Sequence, residues 1–164
     1  MYVNPRPTGT VIIVENGQFL ALKRAREPRQ GWWDLPGGFC DGWELPADAA
    51  VREAYEELGL TVRLDQFVGM YLGNYEHQGE RLPVLDCFWL ATVIGGELRV
   101  DPTEASDHTW LSLVDPPEMA FETMDHALVD ARACLAAAHP HVRRSRAYSR
   151  DWRSTSANRP SIDE

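Results

Sequence analysis

Glu53, Glu56 and Glu57 stand at i, i+3 and i+4 in a run rich in Ala, Arg, Glu and Leu. On a helix that spacing puts three carboxylates on one face. Like charges at i, i+4 destabilise a helix by a few tenths of a kcal/mol, and the only compensation nearby is Arg52, four residues before Glu56. A hard divalent cation with oxygen ligands would relieve the repulsion. Mg²⁺, with Mn²⁺ as a substitute, would keep coordination positions for water and phosphate oxygens. Taken alone, a Glu-rich helix face is more often solvated surface than a metal site, so the decision rests on what precedes it.

Upstream, Gly38 is followed by Glu44 and then by Arg52-Glu53, Glu56-Glu57 and Gly59 within GFCDGWELPADAAVREAYEELGL, residues 38–60. Two glycines, a separated glutamate, an Arg-Glu pair, a Glu-Glu pair and a capping glycine at these intervals resemble the signature of the Nudix hydrolases. Ala54 departs from it, where a bulkier aliphatic residue is usual, and that touches packing rather than chemistry. The likeness extends over roughly residues 8–138, taking in Leu35-Pro36-Gly37-Gly38, Trp110 and the segment 119–138. It implies an α/β/α sandwich around a mixed sheet and a Mg²⁺-dependent hydrolase that cleaves the diphosphate linkage of a nucleotide-like small molecule. By the same resemblance Glu56 and Glu57 are the main metal ligands, and Glu53 is a third ligand or the base that activates water. The Gly38 backbone assists metal or phosphate, and Arg52 and Glu44 orient the carboxylates. Glu104, six residues before Trp110, matches the place of a catalytic glutamate in ADP-ribose-cleaving members, with Glu97 competing for the role. Arg24, Phe39 and Tyr75 are the expected substrate contacts; Trp32 and Tyr71 are further aromatic candidates, each as readily explained by packing.

The flanking elements must position that segment. Thr8 to Val14 and Phe19 to Lys23 surround Asn16-Gly17, a strong hairpin signal. Arg24 to Gly31 reads as a loop. Pro46 to Leu58 is a helix, with proline in the first turn, Gly59 as C-cap, and Leu45 at an N-cap position without a side-chain acceptor. A strand region runs from Leu60 to about Leu72. Val84 to Ile94 is near-continuously apolar, as a central strand would be, and Gly95-Gly96 turns it back. Thr109 to Leu111 is a last short strand. Apolar residues at 121, 124, 128, 131 and 135 follow helical spacing. Alternating strands and helices without repeats place the chain in the α/β class.

The 164 residues carry a net charge of −9. From His139 onward six arginines face three acids, a net of +3, which leaves −12 on residues 1–138. The expected organisation is one domain over 1–138 and an Arg/Ser-rich tail over 139–164. So acidic a body repels nucleic acid, and a cation is the natural mediator for a phosphorylated ligand. Cys40, Cys87 and Cys134 form neither a zinc motif nor a disulfide framework, and no apolar run spans a membrane. The cytoplasm is the expected location, and a homodimer is compatible with the sequence. Subfamily signatures are absent: no Ser-Gln-Pro-Trp-Pro-Phe-Pro run, and Glu76 stands where ADP-ribose pyrophosphatases often carry proline. The Gly37-Gly38-Phe39 and Pro117 to Phe121 segments nevertheless resemble that branch, so an ADP-ribose-like substrate ranks first. A nucleoside triphosphate pyrophosphohydrolase is the nearest alternative. A non-catalytic binding module on the same fold is the alternative of another class, disfavoured because every box glutamate is present. An isomerase would need catalytic residues not found here, and tethering of a polyanion by the tail is less economical than solvated disorder. Asp125-His126 reads as a helix-surface pair.

Overall fold

A computed structural model describes residues 4–77 and 79–138; the Arg/Ser-rich segment, with His139 and His141, lies outside the described residues. Seven strands and two helices follow in the order β1 (Arg6–Glu15), β2 (Gln18–Arg24), β3 (Trp33–Asp34), β4 (Gly37–Phe39), α1 (Pro46–Leu58), β5 (Leu60–His77), β6 (Glu80–Gly96), β7 (Ala105–Ser112) and α2 (Glu122–Ala138). The path through the sheet is β3-β2-β1-β6-β5, with β4 paired to β1 and β7 to β2. Only β1 and β6 are parallel, in register from Arg6↔Val84 to Ile13↔Ala91.

Side chains on a strand alternate between faces, and β1 shows it. Val11 and Ile13 enter a cluster with Ala50, Ala54 and Leu58 of α1. Ile12 enters a second cluster with Phe88, Met124, Leu128 and Ala131, beneath α2. The sheet is therefore covered on both faces, the α/β/α sandwich the sequence implied. A fully buried Phe or Leu contributes about 1.5–3 kcal/mol, so Phe19, Phe88, Leu58 and Leu128, all fully buried, anchor the two layers.

The Asn16-Gly17 turn forms with positive φ at both residues, yet β1 and β2 share only the pairs Val14↔Phe19 and Glu15↔Gln18. Farther back β1 is engaged by β4 and β6, so the two strands diverge. Two other boundaries differ from expectation. β5 continues five residues past Leu72, to His77, because β6 starts at Glu80 and pairs with it along the whole length, Pro83 included. Gly95-Gly96 ends β6 but does not fold the chain back on it; β7 pairs instead with β2, from Gln18↔Ser112 onward. On α2, Asp125 accepts from the Met119 N–H at 3.0 Å and is attracted by His126, whose Nε2 also lies 3.9 Å from Glu122. The three cysteines are free thiols. Among the described residues no helix is long and apolar enough to cross a membrane.

What fixes α1 against the sheet is small residues on both sides. A Cβ built on Gly9 would stand 1.9 Å from the Pro46 carbonyl oxygen and 2.6 Å from the Ala50 nitrogen, both backbone atoms that cannot rotate away. Ala50 and Ala54 complete the close approach, each with no exposed surface, so Ala54 in place of a bulkier residue serves packing. Overpacking of this kind typically costs 1–3 kcal/mol. Gly9→Ala is expected to lower stability by about 1–3 kcal/mol, read as a reduced urea midpoint with unchanged slope. A midpoint equal to that of the wild type would show that the helix-sheet contact is looser than described.

Candidate active site

α1 begins without a side-chain cap, as Leu45 has extended geometry and offers no acceptor. Its first turn is held by backbone donation from Asp48 and Ala49 to the Leu45 carbonyl. The carboxylates are organised further along, around Arg52. Its Nε and Nη2 donate to the two oxygens of Glu44 at 2.9 and 2.8 Å, a bidentate pair. Nη1 donates to Glu53 at 2.8 Å and to Glu56 at 2.9 Å, and Nη2 also reaches the Phe39 carbonyl at 3.1 Å. Glu44 further accepts from the Asp41 N–H at 2.9 Å. One guanidinium thus ties the loop over residues 39–44 to the acidic face of the helix. The hydrogen bonds from Arg52, then the one from Asp41, pull the Glu44 carboxyl down to about 2.

Glu57 is turned the other way. It accepts from the Gly37 N–H at 3.0 Å. Burial, then the negative charges of Asp34 and Glu53, push its carboxyl well above the ordinary glutamate range. Burial also raises the Glu53 carboxyl, against the pull of Arg52. Gly38 makes room for Glu53: a Cβ there would lie 2.3 Å from Oε1. Asp34 pairs with Arg24, yet burial still raises its carboxyl.

The loop after β6 closes the site. The Arg99 N–H caps the Leu58 carbonyl at 2.7 Å and the Asp101 N–H caps the Glu57 carbonyl at 2.9 Å, satisfying orphan acceptors at the end of α1. Gly59, in the left-handed conformation, donates to the Tyr55 carbonyl at 2.8 Å. The docked loop delivers Glu104, whose side chain meets Arg26 at 2.8 Å and whose carbonyl accepts from Ala25.

These groups line one cleft of about 630 Å³, together with Thr8, Thr10, Asn74, Asp86 and Phe121. Arg24, Gly38, Phe39, Glu53, Glu56, Glu57, Tyr75 and Glu104, all singled out from the sequence, are brought together there, and Arg52 and Glu44 stand behind the carboxylates. Glu97 is not among the lining residues, so Glu104 takes precedence over it. Tyr71 faces away from the cleft: its phenol donates to Asp130 at 2.8 Å and its ring packs on Phe88. Trp32, under the Arg29 guanidinium, lines an adjoining groove instead. Sequence reasoning missed Asp34, Asp86, Asp101 and Phe121 as site residues. Asp86 sits inside an apolar strand, and that break in the pattern was the available signal. Phe39 meets Tyr75 edge-on at 5.3 Å, Tyr75 meets Phe121 at 5.7 Å, and the Arg24 guanidinium lies 5.1 Å from the Phe121 ring centre.

Chemically, one wall offers oxygen donors from Glu53, Glu56, Glu57, Asp34, Asp101 and Glu104, facing an aromatic wall. Among the described residues no three such side chains already converge as a cluster able to hold a metal, because Arg52 holds Glu53 and Glu56 while the Gly37 N–H holds Glu57. The donor set nevertheless fits a hard divalent cation. It is all oxygen, and within it burial first, then neighbouring carboxylates, raises the Glu53 and Glu57 carboxyls.

The NUDIX domain family model matches residues 4–130. The ADP-ribose pyrophosphatase of Methanocaldococcus jannaschii is 31% identical over 122 residues, which cover 74% of this chain and 70% of that protein. A MutT-like protein of Streptomyces ambofaciens is 33% identical over 133 residues, 81% of this chain and 78% of that one. Among solved structures, a MutT NUDIX hydrolase from Burkholderia pseudomallei superposes with a TM-score of 0.64 at 30% identity, covering 77% of this chain and 98% of that one.

The Glu44–Arg52 pair carries a pH signature. A carboxyl lowered in the folded state stabilises fully above its unfolded value, about 4.3 for glutamate, and loses that contribution as pH falls toward about 2. Thermal midpoints measured from pH 5 down to pH 2 should fall less steeply in Glu44→Gln than in the wild type. Parallel curves would show that the pair adds nothing to stability.

Proposed function

The chain belongs to the Nudix hydrolase family, whose members act on nucleotide diphosphate derivatives, and on that footing we propose that it is a Mg²⁺-dependent pyrophosphohydrolase. Its substrate on this reading is a nucleoside diphosphate linked to a second moiety, with an ADP-ribose-like molecule as the best fit. The observation that carries the proposal is the pairing of a carboxylate wall with the Phe39–Tyr75–Phe121 aromatic wall in one cleft. A metal-held diphosphate and a planar base are the two groups such walls would take. The relative named ADP-ribose pyrophosphatase supports the same substrate class. The catalytic domain on this reading is residues 1–138.

Glu56 and Glu57, with the Gly38 backbone, would hold the divalent ion, with Glu53 as a third ligand or as the base, and Mn²⁺ would substitute for Mg²⁺. When bound, the cation neutralises diphosphate charge and lowers the pKa of a coordinated water. Arg52 and Glu44 keep Glu53 and Glu56 in place, and the Gly37 N–H fixes Glu57. In the role of base rather than third ligand, Glu53, which accepts from Arg52 through Oε1, would take the proton of the attacking water on Oε2. Burial raises the proton affinity of this carboxyl against the pull of Arg52, the direction that favours a general base. Glu104, from the facing loop, is the competing base. Arg24, held over Phe121 by Asp34, sets a positive charge beside the aromatic wall for the substrate's phosphates.

A panel of ADP-ribose, NADH, diadenosine polyphosphates, sugar nucleotides and nucleoside triphosphates, assayed for phosphate release with a coupled phosphatase, tests the proposal. Preference for diphosphate-linked nucleotides, abolished by chelator and restored by Mg²⁺ or Mn²⁺, is the expected result. Preference for triphosphates would move the nucleotide-pool reading to the front, and no turnover with either metal would favour a binding module. Glu53→Gln should lower kcat by about 10²- to 10⁴-fold, with a smaller loss in Glu104→Gln; the reverse order would reassign the base. Arg52→Lys, which loses the bidentate fork, should reduce activity by about 10- to 100-fold.

A further inference from the structure

Asp86 lines the same cleft and plays no part in the chemistry above. Its register partner on β1 is Thr8, so the two side chains share a sheet face. The Thr8 hydroxyl donates to Oδ1 at 2.7 Å, and the Thr123 hydroxyl, from the first turn of α2, donates to Oδ2 at 2.6 Å. Both threonines are buried. Two other elements therefore hold this carboxylate, each oxygen keeping a second lone pair. None of the ion pairs among the described residues involves Asp86. Gly73 on β5 packs closely against this group: a Cβ there would lie 2.8 Å from the Thr123 methyl carbon and 3.3 Å from Asp86 Oδ2. Beyond Gly73 and Thr123 lies the second groove, of about 710 Å³, which shares Asn74 and Phe121 with the cleft.

An oriented, acceptor-only anion without a cation beside it repels phosphate and favours a hydrogen-bond donor. From this arrangement we infer that Asp86 is a specificity-determining residue that accepts a hydrogen bond from a hydroxyl or amine on the neutral part of the substrate, its sugar or its base. The inference rests on the diphosphate-linked substrate class proposed above. It explains how a cleft rich in carboxylates orients such a molecule, with the diphosphate at the glutamate wall and the donor-bearing group at Asp86. A third phosphate set against Asp86 would meet a negative charge that no ion pair among the described residues offsets.

Asp86→Asn keeps the shape and can still satisfy both threonines, since an amide accepts from one hydroxyl and donates to the other. It removes the charge and turns one of the two acceptor atoms into a donor. Calorimetry on the full chain with Mg²⁺ uses three probes: AMP, ribose 5-phosphate and methylenediphosphonate, a non-hydrolysable diphosphate. The substitution should weaken AMP or ribose 5-phosphate by roughly 5- to 30-fold, the difference between a charged and a neutral acceptor. Methylenediphosphonate should stay within about twofold of wild type by the same reasoning. Weakening of AMP alone assigns the donor to the nucleoside, and of ribose 5-phosphate alone to the second sugar. Unchanged affinity for both would overturn the inference, as would an equal loss for all three probes, which marks a strut and nothing more. Failure of the wild type to bind either neutral-bearing probe overturns it too. Wild-type turnover on the substrate panel is scored separately, so a missing hydrolase activity and a misassigned Asp86 remain distinguishable.

Discussion

Everything at this site depends on a concentration of negative charge that the protein only partly neutralises. Arg52 is the compensating element. A single guanidinium meets Glu44, Glu53 and Glu56 and a loop carbonyl besides. Lysine could not reproduce that geometry, because a point charge on a flexible stem lacks the planar fork. Glu57 lies outside its reach, buried beside Asp34 and Glu53, and there the charge is relieved only by one backbone N–H. Two of the carboxylates lining the cleft, Glu53 and Glu57, are thus held above the ordinary glutamate range, by burial first.

Such a cluster is costly for a helix to carry, and the packing around α1 offsets the cost. Gly9, Ala50 and Ala54 bring the helix backbone close to β1, where both faces of the strand are buried. The loop after β6 then closes the last turn by donating to the carbonyls of Glu57 and Leu58. Those bonds have a second consequence: they seat Glu104 opposite the helix. Capping and site assembly are the same set of contacts, since the loop that closes the helix also brings Glu104 to the cleft.

The remainder of the cleft comes from the other face of the sheet. Thr8 and Asp86 are neighbours across the parallel β1–β6 pair, and Thr123 approaches them from α2. The aromatic wall likewise draws Phe39, Tyr75 and Phe121 from three separate elements. The two halves of the site thus belong to the two layers of the sandwich, and the sheet between them sets their separation.

The helix over residues 46–58, its glycine cap and its carboxylate face were legible from the sequence because they are local: spacing of 3.6 residues, proline at the start and glycine at the end suffice. So were the turn at Asn16-Gly17 and the class of fold, which follow from periodicity. The box residues were legible for the same reason, since their partners lie within some 20 positions of one another. The length of β5, the pairing of β7 with β2, and the roles of Asp34, Asp86 and Phe121 were not. Each depends on partners far along the chain, such as Thr8 with Asp86, 78 residues apart. The sequence alone determined which groups could do chemistry. Only the tertiary structure decided which of them face a common cleft, because that depends on strand register and layer packing, and these non-local terms leave no periodic trace.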